Sequence, residues 1–206
     1  ALPTYRVCEL ARQEVTVALS GDGGDENLAG YRRYRFHAAE ERWRGLIPAG
    51  LRRPLFGALA RAYPKADWAP RVLRAKATFQ ALARDAVEGY FHGVAVVRDA
   101  QRSRLYSEAF RRELDGYHPV SVLRHHAARA PTEDPVSLAQ YLDLKTYLPG
   151  DILTKVDRAS MAHALEVRVP ILDHLLVEWM SGLPAQMKLR GGEGKYLFKK
   201  AMEPYL

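Results

Sequence analysis

Residues 15 to 26 constrain the fold more than any other stretch of this chain. Residues 15–19 are a short, continuously apolar and largely β-branched run, which predicts a buried strand of a parallel sheet. Residues 20–26 then form a turn with three glycines and three acids, and a helix start is predicted at Gly30 and Tyr31. A glycine turn between strand and helix places backbone N–H groups where phosphates bind.

The acids of this turn need an explanation, because they repel phosphate. The Asp25 carboxylate suits Mg²⁺, which binds proteins through one or two carboxylates together with nucleotide phosphates. The alternative is an acidic turn that caps a helix, with Asp22 or Asp25 at the N-cap. Spacing alone favours the cap, since the turn matches neither GxxxxGK[ST] nor GxGxxG.

Two further polar patterns lie near the end of the chain. Asp151, Lys155 and Arg158 follow helical spacing and share one face, which forms either a salt-bridged surface stripe or the wall of a nucleotide or amino-acid site. Glu166 and Arg168 alternate with apolar residues and point the same way. With Asp173 they favour a structural ion network, although Arg168 could instead meet a carboxylate or a phosphate.

Three motifs, in this order, resemble those of the asparagine synthetase family. The run SGDGGDE at residues 20–26, followed by Ala29-Gly30-Tyr31, is similar to the family's second signature loop. The run YLPGDILTKVDRASMA from Tyr147, with LEVRVPILD from Leu165, is similar to its most typical segment. Gly194-Lys195-Tyr196 is similar to the start of its lysine-bearing helix.

The resemblance implies an α/β fold of the ATP-pyrophosphatase (adenine nucleotide alpha hydrolase-like) type. Residues 1–206 are then the C-terminal portion of the synthetase domain, mostly α-helical, with one buried parallel strand. The upstream glutaminase domain and the first nucleotide loop are expected to lie outside these residues. Because no comparable apolar strand follows, we predict fewer than four parallel strands, with residues 15–19 partly exposed or paired with another chain.

The activity implied by the resemblance is ATP-dependent amide formation. A carboxylate, that of aspartate or a related substrate, is activated as an acyl-adenylate and attacked by ammonia derived from glutamine; ATP and Mg²⁺ are required. The alternatives are an amidotransferase that acts on another carboxylate, and a helical interaction module without catalysis. A homodimer is possible.

The site residues are carried over from the matching motifs. The catalytic residues are expected to be Asp22 and Asp151, and the metal ligand is expected to be Asp25. ATP is expected to contact Ser20, Gly21, Gly23 and Lys195. The substrate is expected to contact Lys155, Arg158 and Arg168. Relatives carry glutamate or tyrosine where this chain has Asp22, so the shorter reach leaves the substrate open. A further family lysine is expected beyond Leu206.

Composition limits the partners and the compartment. The net charge is +7, but residues 31–76 hold 12 Lys and Arg against 3 Asp and Glu and account for the whole excess. A solvated helical face is favoured there over a surface for an acidic partner or membrane, and no nucleic-acid partner is expected. The single cysteine, Cys8, is expected to be buried and fits a cytoplasmic protein without disulfides. No run is long enough to span a membrane.

Helical periodicity organises the middle of the chain. It predicts single helices over residues 71–91, with Leu73 on the apolar face, and over residues 101–114. Asp134 and Pro135 predict the N-cap and first residue of another helix. That helix is expected to break at Pro149 and Gly150.

Overall fold

The computed structural model describes residues 1–64, 70 and 75–205, which are mainly helical. The residues form two compact units: the first unit is Ala1–Arg35 with Thr132–Leu206, and the second unit is Phe36–Pro131. The helices α1 to α14 are, in chain order, Leu2–Glu14, Gly24–Asn27, Arg32–Leu46, Ala49–Ala62, Lys76–Leu82, Ala86–Val94, Asp99–Leu105, Glu108–Glu113, Val120–Ala127, Pro135–Lys145, Thr154–Met161, His174–Ser181, Ala185–Lys188 and Tyr196–Met202. The strands β1 to β4 are Val17–Leu19, Glu166–Arg168, Leu189–Arg190 and Glu193–Gly194, and a π-helix (Leu148–Leu153) and a 3₁₀ helix (Pro170–Leu172) flank α11 and β2.

The first unit is built on a parallel pair of strands. β1 pairs with β2 in the register Val17 to Glu166, Ala18 to Val167 and Leu19 to Arg168. Ala18 and Val167 pack against a buried cluster formed by Cys8, Ala159 and Leu165, so that α1 and α11 cover one face of the pair. Cys8 is therefore buried, as expected.

The prediction of one buried strand is wrong in two respects. The side chains of Val17 and Leu19 are 39% and 73% exposed, because successive residues of a strand point to opposite faces and only the face with Ala18 is covered. The second strand, β2, was not predicted because its three residues place a single valine between two charged residues. The partial exposure of residues 15–19 is confirmed, and the described residues hold two parallel strands.

α10 begins as predicted and ends differently. The Asp134 side chain accepts a hydrogen bond from the Ser137 N–H at 2.8 Å, and Pro135 is the first helical residue. The expected break at Pro149 and Gly150 is instead a π-helix that leads directly into α11. The wide turn accommodates Pro149, which has no N–H to donate, and the Gly150 N–H still reaches the Thr146 carbonyl at 3.0 Å.

Both long helices predicted in the second unit are interrupted. Leu73 lies outside the described residues; beyond it, α5 ends at Leu82, and Asp85 caps the next helix by accepting from the Glu88 N–H at 2.8 Å. Ser107 divides residues 101–114 in the same way, accepting from the Phe110 N–H at 3.2 Å. In both places a short polar side chain competes successfully with continuation of the helix.

Part of the basic excess of residues 31–76 is structural. Arg44 and Arg52 are buried, and their guanidinium groups converge on the C-terminal end of α5. Arg44 donates to the Ala81 carbonyl at 2.8 Å, and Arg52 donates to the Arg84 carbonyl at 2.6 Å. These cations donate to carbonyls at and just after the C-terminal end of α5, where a positive charge interacts favourably with the helix dipole.

None of the helices in the described part of the chain combines the length and apolar character needed to cross a bilayer.

Candidate functional site

The acidic turn lies at the carboxyl end of the parallel strand pair. The Ser20 N–H donates to the Arg168 carbonyl at 2.8 Å, which ties the start of the turn to the end of β2. The Ser20 hydroxyl donates to the Asp22 carboxylate at 2.6 Å, so these two side chains form one unit. Ser20, Asp22 and Arg168 are thus brought to one edge of the sheet.

The glycines of the turn have two structural roles. Gly23 allows close packing, and Gly21 leaves the backbone exposed. Gly23 has φ of 82°, a left-handed conformation, and a Cβ there would collide with the side chain of Leu172. A Cβ on Gly21 would meet no atom within 4 Å, so the backbone is accessible on that side. The N-cap of α2 is Gly23 without a side-chain cap, and the alternative role of Asp22 or Asp25 as a helix cap is therefore wrong.

Asp25 is paired with a residue from the far end of the sequence. The Lys195 Nζ lies 2.9 Å from the Asp25 Oδ1, and the two side chains are 31% and 36% exposed. Gly30 makes this pair possible, because a Cβ at Gly30 would overlap both the Asp25 carboxylate and the Lys195 side chain. A metal ligand and an ATP-binding residue of the sequence analysis thus contact each other directly.

Lys195 is held by backbone contacts with the segment that follows the acidic turn. Its own N–H donates to the Leu28 carbonyl at 2.8 Å, and its φ of 57° is in the left-handed region. Gly194 ends the β3–β4 hairpin against Ala29, and a Cβ at Gly194 would overlap the Ala29 carbonyl. The hairpin therefore fixes where the lysine side chain begins.

Asp151, Lys155 and Arg158 lie together, apart from the Asp25–Lys195 pair. They line a groove of about 540 Å³ between the start of α1 and the π-helix–α11 segment, with Ala1, Leu2, Tyr5, Gly150, Thr154 and Ala159 as its other walls. Among the described residues no ion pair joins these three side chains; the Arg158 Nε approaches Asp157 at 3.9 Å instead. The three residues therefore share one face, as predicted, and among the described residues they do not form a salt-bridged stripe.

The expected ion network of Glu166, Arg168 and Asp173 is only partly formed. The Arg168 Nε donates to Glu166 at 2.7 Å, and both side chains are exposed. Asp173 instead caps α12, accepting from the Leu175 N–H at 3.0 Å and the Leu176 N–H at 3.3 Å. Arg168 thus lies beside the acidic turn with one carboxylate partner.

A buried polar network beneath the turn was missed by the sequence analysis. Glu26 is 1% exposed and accepts from the Tyr31 hydroxyl at 2.9 Å, and burial raises the pKa of the Glu26 carboxyl above its usual range. Asp143 on α10 is 2% exposed and accepts from Arg33 at 2.7 Å and from the Tyr34 hydroxyl at 2.5 Å.

The signal for this network lies in α10. Gln140 and Asp143 are spaced with Val136 and Ala139 on the apolar face of that helix, where polar residues require internal partners. Gln140 also donates to the Glu26 carbonyl at 2.6 Å. The network therefore fixes the helical turn that carries Asp25 without entering the site itself.

The Asp25 carboxylate could serve as a Mg²⁺ ligand. It is partly exposed, lies beside the bare backbone of Gly30 and already holds a cation, the Lys195 ammonium. Among the described residues, no group of three or more His, Cys, Asp or Glu side chains is arranged to hold a metal. The other ligands of a Mg²⁺ ion at Asp25 would therefore be water molecules and, when a nucleotide is bound, phosphate oxygens.

Comparisons with known proteins agree on one family. The profile described as "Asparagine synthase" matches residues 1–206. Asparagine synthetase [glutamine-hydrolyzing] 1 of Bacillus subtilis (strain 168) is 30% identical over 207 residues, covering 98% of this chain and 30% of the relative. A putative asparagine synthetase [glutamine-hydrolyzing] of Mycobacterium bovis is 33% identical, covering 98% of this chain and 29% of the relative.

A shorter match is to amidase chry2 of Gibberella zeae, 34% identical over 79 residues, which are 35% of this chain and 12% of the relative. No solved structure matches the chain significantly. The chain spans about 30% of the length of the curated relatives that it matches over most of its residues. The profile covers the acidic turn, the polar groove and Lys195 in one continuous match, and the chain belongs to the asparagine synthase family.

Proposed function

We propose that this chain is the C-terminal portion of the synthetase domain of an enzyme that forms an amide from a carboxylate with ATP. The carboxylate is that of aspartate or a related substrate, and ammonia comes from glutamine. The observation that carries the proposal is the acidic turn at the carboxyl end of two parallel strands, in a chain that belongs to the asparagine synthase family. We further propose that the complete sheet has the ATP-pyrophosphatase type of fold.

The reaction proceeds in two steps that balance in atoms and charge. A carboxylate oxygen of the substrate attacks the α-phosphorus of ATP, forming an acyl-adenylate and releasing pyrophosphate. Ammonia then attacks the acyl carbon, AMP leaves, and a proton is lost from nitrogen. Mg²⁺, when bound, neutralises the phosphate oxygens and the leaving pyrophosphate.

The acidic turn and Lys195 hold the nucleotide in this proposal. The Ser20 hydroxyl, the accessible backbone at Gly21 and the backbone N–H of Gly23 contact phosphate oxygens, and Asp25 binds Mg²⁺. Lys195 carries a positive charge that complements phosphate. Support comes from the open backbone at Gly21 and from the short distance between Asp25 and Lys195.

Two acids are assigned to proton transfer and charge stabilisation. Asp22 accepts the proton that ammonia loses as the amide forms, and Asp151 assists from the groove. The hydrogen bond from the Ser20 hydroxyl orients the Asp22 carboxylate at the sheet edge, which supports a base role. Because aspartate is one methylene shorter than glutamate, the reacting carbonyl lies closer to the turn here than in relatives with glutamate.

Three cations are assigned to the substrate carboxylates. Lys155 and Arg158 line the groove of about 540 Å³ and place two cations beside it. Arg168 lies at the same sheet edge as the acidic turn, with Glu166 as its partner. An exposed arginine with a single carboxylate partner retains donors for a second carboxylate.

Exchange of label between pyrophosphate and ATP tests the proposal. Asp25→Asn in the full gene product should lower the exchange rate at least tenfold, which is about 1.4 kcal/mol of transition-state stabilisation. Asp115→Asn makes the same chemical change in an exposed turn with φ of 43°, a conformation that asparagine tolerates, and should leave exchange unchanged. Unchanged exchange in Asp25→Asn at saturating Mg²⁺ would rule out the ligand role.

A second candidate within the same class is amidation of a carboxylate other than aspartate. This candidate is supported by Asp22, whose side chain is shorter than the glutamate or tyrosine expected at that position. A panel of carboxylates in the exchange assay separates the two, because only the true substrate supports exchange. Absence of exchange with every carboxylate would favour a helical interaction module without catalysis.

A further inference from the structure

We propose that Lys195 is the internal counter-ion of Asp25 and that it leaves the Asp25 carboxylate when a divalent cation binds there. The freed ammonium is then available to the phosphates that arrive with the metal. This inference rests on the proposed Mg²⁺ role of Asp25 and adds a role for Lys195 before the nucleotide binds.

The contact between the two side chains is direct and shielded on one side. The Lys195 Nζ lies 2.9 Å from the Asp25 Oδ1, and about a third of each side chain is exposed. The Asp25 carbonyl accepts from the Gly30 N–H at 2.9 Å, so the backbone folds back over the pair. At Gly30 even a methyl group would displace both side chains.

The contact is built by the fold and is not an incidental surface pair. The two residues stand at positions 25 and 195, and the β3–β4 hairpin brings them together. Lys195 adopts φ of 57°, which disfavours any residue with a Cβ, and the N–H bond to Leu28 holds this conformation. The backbone around Lys195 therefore stays fixed, while its four-carbon side chain retains rotatable bonds.

Electrostatic repulsion prevents the divalent metal ion and the Lys195 ammonium from binding the Asp25 carboxylate at the same time. A metal on the Asp25 carboxylate and an ammonium at hydrogen-bond distance from the same group would lie within about 5 Å of each other, where like charges repel strongly in a partly buried site. The flexible side chain of Lys195 can move away. In the empty site the lysine thus neutralises Asp25, and in the loaded site it is released toward anionic oxygens.

Binding of Mn²⁺ without nucleotide, followed by electron paramagnetic resonance of the free ion, tests the first half of the proposal in the full gene product. Lys195→Gln removes the competing charge and should tighten Mn²⁺ binding at least about fivefold at low ionic strength. Lys199→Gln is the matched control, because Lys199 lies four residues later and its Nζ is 2.6 Å from Glu193 on the surface. Its Mn²⁺ affinity should equal that of the unmodified protein.

The two variants separate the displacement of Lys195 by the metal from the role of Asp25 as a metal ligand. If Asp25→Asn abolishes Mn²⁺ binding and Lys195→Gln leaves the affinity unchanged, the proposed displacement of Lys195 by the metal is wrong, whereas the role of Asp25 as a metal ligand stands. If Asp25→Asn binds Mn²⁺ as the unmodified protein does, the ligand role is wrong as well. Circular dichroism spectra and melting curves of each variant show whether it has folded.

Reactivity of the Lys195 amine tests the second half without any substitution. Acetylation followed by peptide mass spectrometry should show faster labelling of Lys195 in Mg²⁺ alone than in metal-free buffer, because the ion pair has opened. Addition of ATP to the Mg²⁺ sample should slow labelling again, as phosphate covers the amine. A labelling rate of Lys195 that does not respond to Mg²⁺, with Lys199 as the internal reference, would overturn the proposal.

Discussion

The contact between Asp25 and Lys195 depends on a residue with no side chain. Gly30 follows the acidic turn and leaves the space that both side chains occupy, since a Cβ there would overlap each of them. The motif residues around it supply charge, whereas Gly30 supplies space. A glycine in a family motif can therefore be required because it leaves room for neighbouring side chains, as well as because of its backbone conformation.

Replacing Gly30 by alanine should lower the free energy of unfolding by about 1–3 kcal/mol, because the added methyl group forces two charged side chains out of position. Urea unfolding measured by circular dichroism gives this quantity. Gly57→Ala is the control: Gly57 lies within α4, and a Cβ there meets no atom within 4 Å. In a helix interior alanine is favoured over glycine by about 0.5–1 kcal/mol, so equal destabilisation of both variants would contradict the argument.

At the scale of elements, α3 carries two groups whose pKa values move in opposite directions. Burial, with a contribution from Arg44, lowers the pKa of His37 to about 4. Burial likewise raises the pKa of Glu40 to about 7, against the opposing effect of Arg44. Both groups are therefore neutral over most of the interval between these values, and His92, with a pKa of about 4, behaves as His37 does.

The free energy of unfolding should consequently depend on pH, and substitutions of His37 and of Glu40 should change that dependence in opposite directions. His37 stabilises the folded state fully above its unfolded pKa of about 6.5 and loses this contribution as the pH falls toward 4. Glu40 has the opposite sign, since its contribution is present below about 4.5 and is lost as the pH rises toward 7. Urea unfolding between pH 4 and 7 should show a steeper loss toward acid for Glu40→Gln and a shallower one for His37→Gln, by up to about 3 kcal/mol. Parallel curves for both variants would contradict these assignments.

Sequence patterns predicted elements best where a cap and a periodicity agreed. Asp134 and Pro135 marked the start of α10 correctly, because the cap is a local interaction. Asp85 and Ser107 act as caps in the same way, but the apolar period continues across both, so two helices were predicted as one in each place. The pairing of β2 in the sheet was not predicted, because it depends on β1, a partner distant in sequence.

The candidate site was predictable only as far as its motifs extended. The acidic turn, Arg168 and the groove residues were identified by motif, and the structure brings Ser20, Asp22 and Arg168 to one sheet edge. The pairing of Asp25 with Lys195 depends on how the β3–β4 hairpin packs on Leu28 and Ala29, which no local pattern encodes. The buried partners Glu26 and Asp143 likewise require knowledge of which helix faces meet.

At the scale of the whole molecule, one face of the β1–β2 pair is uncovered. The exposed side chains of Val17 and Leu19 lie on that face, in a chain that spans about 30% of its relatives. The described residues contribute one turn with open backbone at the carboxyl end of the sheet. Binding of a nucleotide between facing loops needs a second such turn.

Residues 1–206 expressed alone should therefore bind Mg²⁺-ATP weakly and form no amide from aspartate, ATP and ammonium. Isothermal calorimetry measures the affinity, and a pyrophosphate-release assay measures the chemistry. The full gene product assayed in parallel is the positive control. Micromolar affinity of residues 1–206 for ATP, or pyrophosphate release that depends on a carboxylate, would show that the site is misassigned.

The division of the chain into two units has a consequence for how this family can diverge. The second unit is an excursion of the chain that leaves the first unit after Arg35 and returns to it at Thr132. The entropy of closing such an excursion grows only logarithmically, by about 0.6 kcal/mol for each doubling of its length. Insertions, deletions or replacement within Phe36–Pro131 should thus leave the strand pair and the acidic turn almost unaffected, so that the second unit can evolve new surfaces while the residues of the candidate site are retained.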